Sequence, residues 1–171
     1  MKVSGRKAEL LERLGGSSLG PGGGGEERKA AAVEGKAEFV MRFDGGSRGN
    51  PGPAACGYAI YGPGGEEIAS GWKFLGGHRT NNYAEYSGLT LGLRRAAAMG
   101  VMGVAQGDSK LVVEQMSGNW KVKNEDMKAL KKEADAVAEG WRFEWIRREG
   151  NKRADELANE GMDEGKGEWS G

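Results

Sequence analysis

The chain has one cysteine, Cys56, so no disulfide can form within it, and a reducing compartment suits it. It has no apolar run approaching the roughly 18 residues of a membrane span, which argues against a membrane helix. Its N-terminus lacks a secretory apolar core, and Glu9 and Glu12 interrupt the basic residues that a transit peptide would carry. Cytosol or nucleus is the default compartment, and a monomer is expected. It also lacks an excess of either charge. Lysine and arginine total 25, aspartate and glutamate total 25, and the formal net charge is zero. The basic surplus usual in nucleic-acid binders is therefore missing. Any phosphate binding would come from a local patch and weaken steeply with salt.

Glycine is abundant, with 32 in 171 residues, and much of it lies in the first quarter. Residues 1–36 read as a flexible tail, in which Leu10, Leu11 and Leu14 could line one side of a short helix. From Glu38 the character changes. Glu38 to Phe43, Ala55 to Tyr61 and Glu67 to Leu75 read as three strands, with turns at Gly45 to Pro53 and Pro63 to Gly65. Asn82 to Met99 reads as a helix, because Tyr86, Leu89, Leu93 and Ala96 recur at three- and four-residue spacing and Gly100 can end it. A strand follows at Val101 to Ala105. Two helices come next, Ser109 to Met116 and Glu125 to Ala138, the latter closed by Gly140. Trp141 to Ile146 is a strand and Lys152 to about Asp163 a last helix. The order βββαβααβα predicts an α/β fold with a mixed five-stranded sheet, three antiparallel strands followed by two parallel ones, and helices packed on it. One domain over 37–163 is expected, with 164–171 as a frayed tail.

Four acids fall at element boundaries. Asp44 ends the first strand and Asp108 the fourth, while Glu85 and Asp155 are placed in the first turns of their helices. Each has an ordinary explanation alone, as turn chemistry, a helix start or an acid favoured by the helix dipole. Together they can converge, because sites in open α/β sheets lie outside the carboxyl ends of the strands. Clustered carboxylates repel one another, so a tight acidic cluster argues for a bound cation. Hydrolysis of a phosphodiester needs an activated water and a stabilised leaving oxygen, which two hard cations about 4 Å apart supply.

Four stretches, in order and with family-like spacing, resemble type 1 ribonuclease H, in its compact branch. They are Phe43-Asp44-Gly45-Gly46-Ser47-Arg48-Gly49-Asn50-Pro51-Gly52-Pro53, then Thr80-Asn81-Asn82-Tyr83-Ala84-Glu85, then Gly107-Asp108-Ser109 continued by Asn119-Trp120-Lys121-Val122-Lys123-Asn124, and finally Arg148-Glu149-Gly150-Asn151-Lys152-Arg153-Ala154-Asp155-Glu156-Leu157-Ala158. The resemblance implies an endonuclease that cuts the RNA strand of RNA–DNA hybrids with two Mg2+ ions, Mn2+ possible in their place, leaving 5′-phosphate and 3′-hydroxyl ends. It implies that Asp44, Glu85, Asp108 and Asp155 are the catalytic, metal-holding quartet. Asp44 would bridge both ions, Glu85 and Asp108 would hold the ion on the leaving-group side, and Asp155 would help hold the other. For the substrate it implies minor-groove contacts from Asn50, Asn81 and Asn82, a DNA-phosphate grip from Thr80 and Asn124, and a DNA-strand contact from Trp120. Local capping is the competing account of the three asparagines, and core packing that of Trp120.

Two departures from the family stand out. Trp145 to Asp155 lacks the loop histidine of many bacterial members; Arg147, Arg148 and Glu149 occupy that stretch, and the single histidine, His78, reads as a surface loop residue. Asn119 to Glu125 runs into one helix without the inserted basic handle, so weaker substrate grip and slower turnover are expected. Two other readings compete: a retroelement-derived nucleic-acid-binding domain with weak or no catalysis, and a related nuclease acting on another duplex such as double-stranded RNA.

Overall fold

The computed structural model describes residues 38–165 and 168–170. The expected N-terminal tail, 1–36, lies outside the described residues. Three strands come first: β1 (Phe39–Ser47), β2 (Gly52–Tyr61) and β3 (Glu67–Arg79). Helix α1 (Asn81–Met99), strand β4 (Gly103–Gly107) and helices α2 (Lys110–Met116) and α3 (Glu125–Asp135) follow. Strand β5 (Arg142–Trp145), a 3-10 turn at Arg148–Gly150, helix α4 (Lys152–Glu164) and strand β6 (Glu168–Ser170) complete the order. The strands lie as β5-β4-β1-β2-β3-β6. β1, β2 and β3 form an antiparallel meander, and β4 and β5 add parallel to β1 and to each other. This is the predicted α/β sheet, with β1 and β4 as parallel neighbours.

β2 shows why the sheet is packed on both faces. Successive strand residues point to opposite sides. Tyr58 and Ile60 join the core under α1 with Met41, Phe43, Tyr86, Leu89 and Leu93. Ala59, between them, joins Leu157 of α4 and Trp72 on the other face. A strand covered on both faces loses the apolar–polar alternation, and Ala54 to Ile60 is buried without a break. Burial of such side chains contributes about 1.5–3 kcal/mol each for the larger ones.

Three expectations are corrected. β1 continues through Gly45, Gly46 and Ser47, which pair with Cys56, Ala55 and Ala54, so the turn is shorter than glycine content suggested and Asp44 sits inside the strand. α3 ends at Asp135 rather than Ala138, because Val137 and Ala138 bond back three residues in a tightened last turn. Where a frayed tail is expected, Glu168–Ser170 pairs antiparallel with Gly71, Trp72 and Lys73 at the edge of β3.

Candidate active site

The site is assembled by close approaches at glycines. A Cβ on Gly45 would lie 2.1 Å from the Ala84 carbonyl, and one on Gly88 would lie 2.5 Å from the Asp44 carbonyl. Only bare backbone lets α1 press so closely on β1 at this level. Glu85 is thereby carried to Asp44. It lies in the second turn of α1, not the first, since the helix starts at Asn81. On the other face Gly57, the register partner of Asp44, does the same for α4. A Cβ there would meet Leu157 Cβ at 2.7 Å and the Ala154 carbonyl at 2.8 Å. Asp155, in the first turn of α4, comes near enough to Asp44 for its charge to raise that carboxyl, but stands outside the group formed by Asp44, Glu85 and Asp108. Asp108 follows the last residue of β4, and β1–β4 pairing ends at Phe43–Gly107, one residue before each acid.

The outcome is a compact acid cluster. One carboxylate oxygen each from Asp44, Glu85 and Asp108 lie within 4.8 Å of one another. Asp44 is 7% exposed, and Asp155 sits exposed at the rim. Burial pushes the Asp44 carboxyl up to about 8, with the charge of Asp108 adding to it and the Gly45 N–H, 2.9 Å from Oδ1, opposing it. Burial, then the charge of Asp44, holds Glu85 well above the usual carboxylate range. Burial raises Asp108 as well, opposed by a hydrogen bond from Asn151 and the charge of Arg148. Glu85 Oε1 is sealed from solvent and has no hydrogen-bond partner among the described residues. A buried acceptor left this way destabilises the fold by about 1–3 kcal/mol. Crowded hard oxygens with an unsatisfied one among them fit a divalent cation of the Mg2+ class.

The substrate candidates divide. Asn50, Thr80, Asn82 and Asn124 line one groove of about 830 Å³, together with Lys73, His78, Arg79 and Arg94. Thr80 Oγ1 accepts the Tyr83 N–H at 3.1 Å and Asn124 Oδ1 the Met127 N–H at 3.1 Å, so both are helix N-caps. Asn81 Oδ1 accepts from the Ser47 N–H at 2.8 Å, and Asn50 Oδ1 from the Asn81 N–H at 3.0 Å. The local-bonding account thus holds for the oxygens of Asn50 and Asn81. Asn82 is exposed in the first turn of α1. Trp120 is 45% exposed, which excludes core packing, and it stands outside the groove lining. His78 is exposed but belongs to β3 rather than a loop. Arg79 stacks its guanidinium 4.3 Å from the Tyr83 ring centroid. Lys128 pairs with Glu125 and Lys131 with Asp135, as a solvated helix face should.

Two residues beside the acids were not singled out by the sequence. Trp145 Nε1 donates to the Asp108 carbonyl at 3.2 Å, and Lys110 Nζ lies 5.3 Å from its ring centroid. Asn151, buried between α4 and β1, donates from Nδ2 to the Phe43 carbonyl at 2.9 Å. An asparagine directly before a helix reads as a cap, and nothing in the sequence marks one that turns inward.

Residues 42–161 match the family model described as Reverse transcriptase-like. The chain is 47% identical over 130 residues to the bifunctional protein Rv2228c of Mycobacterium tuberculosis, covering 74% of this chain and 36% of that protein. It is 40% identical over 126 residues to ribonuclease HI of Halobacterium salinarum, covering 71% of this chain and 63% of that one. The matched segment is therefore about a third of the length of the mycobacterial protein. The solved N-terminal RNase H domain of Rv2228c superposes with a TM-score of 0.71 at 44% identity, covering 76% of this chain and 96% of that chain. LC11-RNase H1 in complex with an RNA/DNA hybrid superposes with a TM-score of 0.71 at 34% identity, covering 74% of this chain and 98% of that chain. With the sheet order, the acid cluster and these relatives agreeing, the chain belongs to the ribonuclease H family.

Proposed function

We propose that this chain is an endonuclease that hydrolyses the RNA strand of RNA–DNA hybrids and leaves 5′-phosphate and 3′-hydroxyl ends. The observation that carries the reading is the meeting of Asp44, Glu85 and Asp108 within 4.8 Å, with one sealed oxygen of Glu85 unpartnered. The relatives named ribonuclease H, and the hybrid held by LC11-RNase H1, supply the substrate class.

Two Mg2+ ions, with Mn2+ able to replace them, would supply Lewis-acid activation of water and stabilise the leaving oxygen's charge. Asp44, Glu85, Asp108 and Asp155 would hold them. Asp44 touches both sides of the cluster and would bridge the pair. Glu85 and Asp108 would serve the leaving-group side, and Asp155 at the open rim the side where water enters. The raised pKa values oppose ionisation of the empty cluster, so cation binding displaces protons from it. Asn82 is free to read a 2′-hydroxyl, which is both donor and acceptor, and the amide NH2 groups of Asn50 and Asn81 can do the same while their oxygens brace the turn. Thr80 and Asn124 present their helix N-termini to the groove, where dipole and N–H groups favour a DNA-strand phosphate. Trp120 offers an exposed aromatic face beside that strand.

The test is cleavage of an end-labelled hybrid in Mg2+, with Asp44→Asn and Asp108→Asn alongside. The expected result is wild-type cutting that exceeds both variants on the order of a thousandfold. Wild-type activity no greater than theirs would sink the reading. Hybrid binding that persists in EDTA, without cleavage in Mg2+ or Mn2+, would instead identify a binding domain. Competition with RNA and DNA duplexes checks the substrate class.

A further inference from the structure

The nuclease reading employs four acids, but a buried amide beside them has no part in it. Asn151 is 1% exposed. It stands directly before α4, yet its side chain makes no cap bond to that helix. Nδ2 instead donates to the carbonyl of Phe43, the residue before Asp44, at 2.9 Å. The same amide stands near enough to the Asp108 carboxylate to favour its charged form against burial. Its backbone carbonyl accepts the N–H of Asp155 at 3.1 Å. One residue therefore ties together the chain segments that carry three of the acids. Its Oδ1 is buried with no partner among the described residues, which costs stability.

The geometry points to Asn151 as the positioning residue of the ion site: its planar NH2 group fixes the Asp108 carboxylate relative to the backbone of β1, so that Asp108 and Asp44 present oxygens to one point. The two hydrogens of an amide NH2 diverge at a fixed angle, so one nitrogen sets the direction of both acceptors. Groups that orient metal-binding side chains in this way typically change metal affinity about 10- to 100-fold when removed. This inference rests on the metal reading of the acid cluster.

The experiment measures Mn2+ binding to the substrate-free full chain from the paramagnetic resonance signal of unbound Mn2+. Asn151→Ala removes the donor, and Asn151→Asp puts an oxygen where the NH2 stood, facing two acceptors. Ile68→Ala is the control, since it loosens core packing on β3 without touching the amide or an element that carries an acid of the cluster. At a temperature where all are folded, Asn151→Ala should weaken Mn2+ binding about 10- to 100-fold and Asn151→Asp at least as much. Ile68→Ala should bind as the wild type does. In turnover assays the Mg2+ midpoint should rise with the hybrid KM unchanged. Asn151 variants that melt lower yet bind Mn2+ normally would overturn the inference, and so would an equal loss in Ile68→Ala. If Asn151→Asp fails to fold, Asn151→Ser takes its place in the comparison. A wild-type chain that binds no Mn2+ would remove the metal reading itself, a result distinct from failure of Asn151 alone.

Discussion

The acid cluster at the ends of β1 and β4 and the groove between β3 and α3 both gather polar side chains, but they satisfy them differently. In the groove, Thr80 and Asn124 cap helices, and nearby Asn50 and Asn81 brace the turn after β1. Those residues stabilise the fold before any ligand arrives. In the cluster, Asp44, Glu85 and Asp108 are crowded and raised in pKa, and a sealed oxygen of Glu85 has no partner among the described residues, so their burial works against the fold. Binding residues can be superimposed on structural duties when their ligand is large and outside. Residues that must share a small hard ion cannot be satisfied beforehand without losing the site.

The contrast can be broken most severely at Gly88. Its added Cβ in Gly88→Ala would lie 2.5 Å from the Asp44 carbonyl, against backbone rather than a yielding side chain. Denaturant melts should show a loss of about 1–3 kcal/mol. Because Glu85 must then draw back from Asp44, cleavage should fall about a hundredfold. Normal activity in a folded Gly88→Ala protein would show that the close approach of α1 is dispensable.

A second test uses pH. The folded, metal-free chain keeps the Asp44 proton to about pH 8, against an ordinary aspartate value of 3.8. Between those values the folded state holds a proton that the unfolded state has lost, so stability falls as pH rises. The slope is at most about 1.4 kcal/mol per pH unit from this group. In EDTA, the melting temperature of wild type relative to Asp44→Asn should drop from pH 5 to pH 8, and saturating Mg2+ should reverse the drop at pH 8. Parallel curves for the two proteins would contradict the account of the cluster.

The groove should respond more mildly and on two readouts at once. Thr80→Ala and Asn124→Ala each remove a cap and should lower stability by about 1 kcal/mol while raising the hybrid KM. Asn82→Ala should raise KM with no change in stability, since its side chain makes no capping bond. A stability loss in Asn82→Ala equal to that in Thr80→Ala would erase the distinction.

Much of this was readable from the residues alone. Tyr86, Leu89 and Leu93 marked α1 by their spacing, and all are fully buried. The meeting of Asp44, Glu85 and Asp108 was legible because motifs surround them, and Asp44 and Asp108 fall where an α/β sheet places its sites. Pairing was less legible. Gly45 to Ser47 look like a turn, but strand register is set by the partner, and Ala54 to Cys56 draw them into β1. Glu168–Ser170 is too short to show a period, so its edge pairing had no local signal. Glu85 falls just past the first turn because the helix starts one residue earlier than the apolar pattern suggests, at the cap Thr80. Asn151 escaped because its partners, Phe43 and Asp108, lie far away in sequence.

Anomalous diffraction from crystals of the wild-type chain equilibrated with Mn2+ tests the central idea most directly. A peak within coordination distance of Asp44, Glu85 and Asp108, about 2.0–2.3 Å from their oxygens, is the predicted result. Crystals saturated with Mn2+ that show density elsewhere, and none among these three carboxylates, would contradict it.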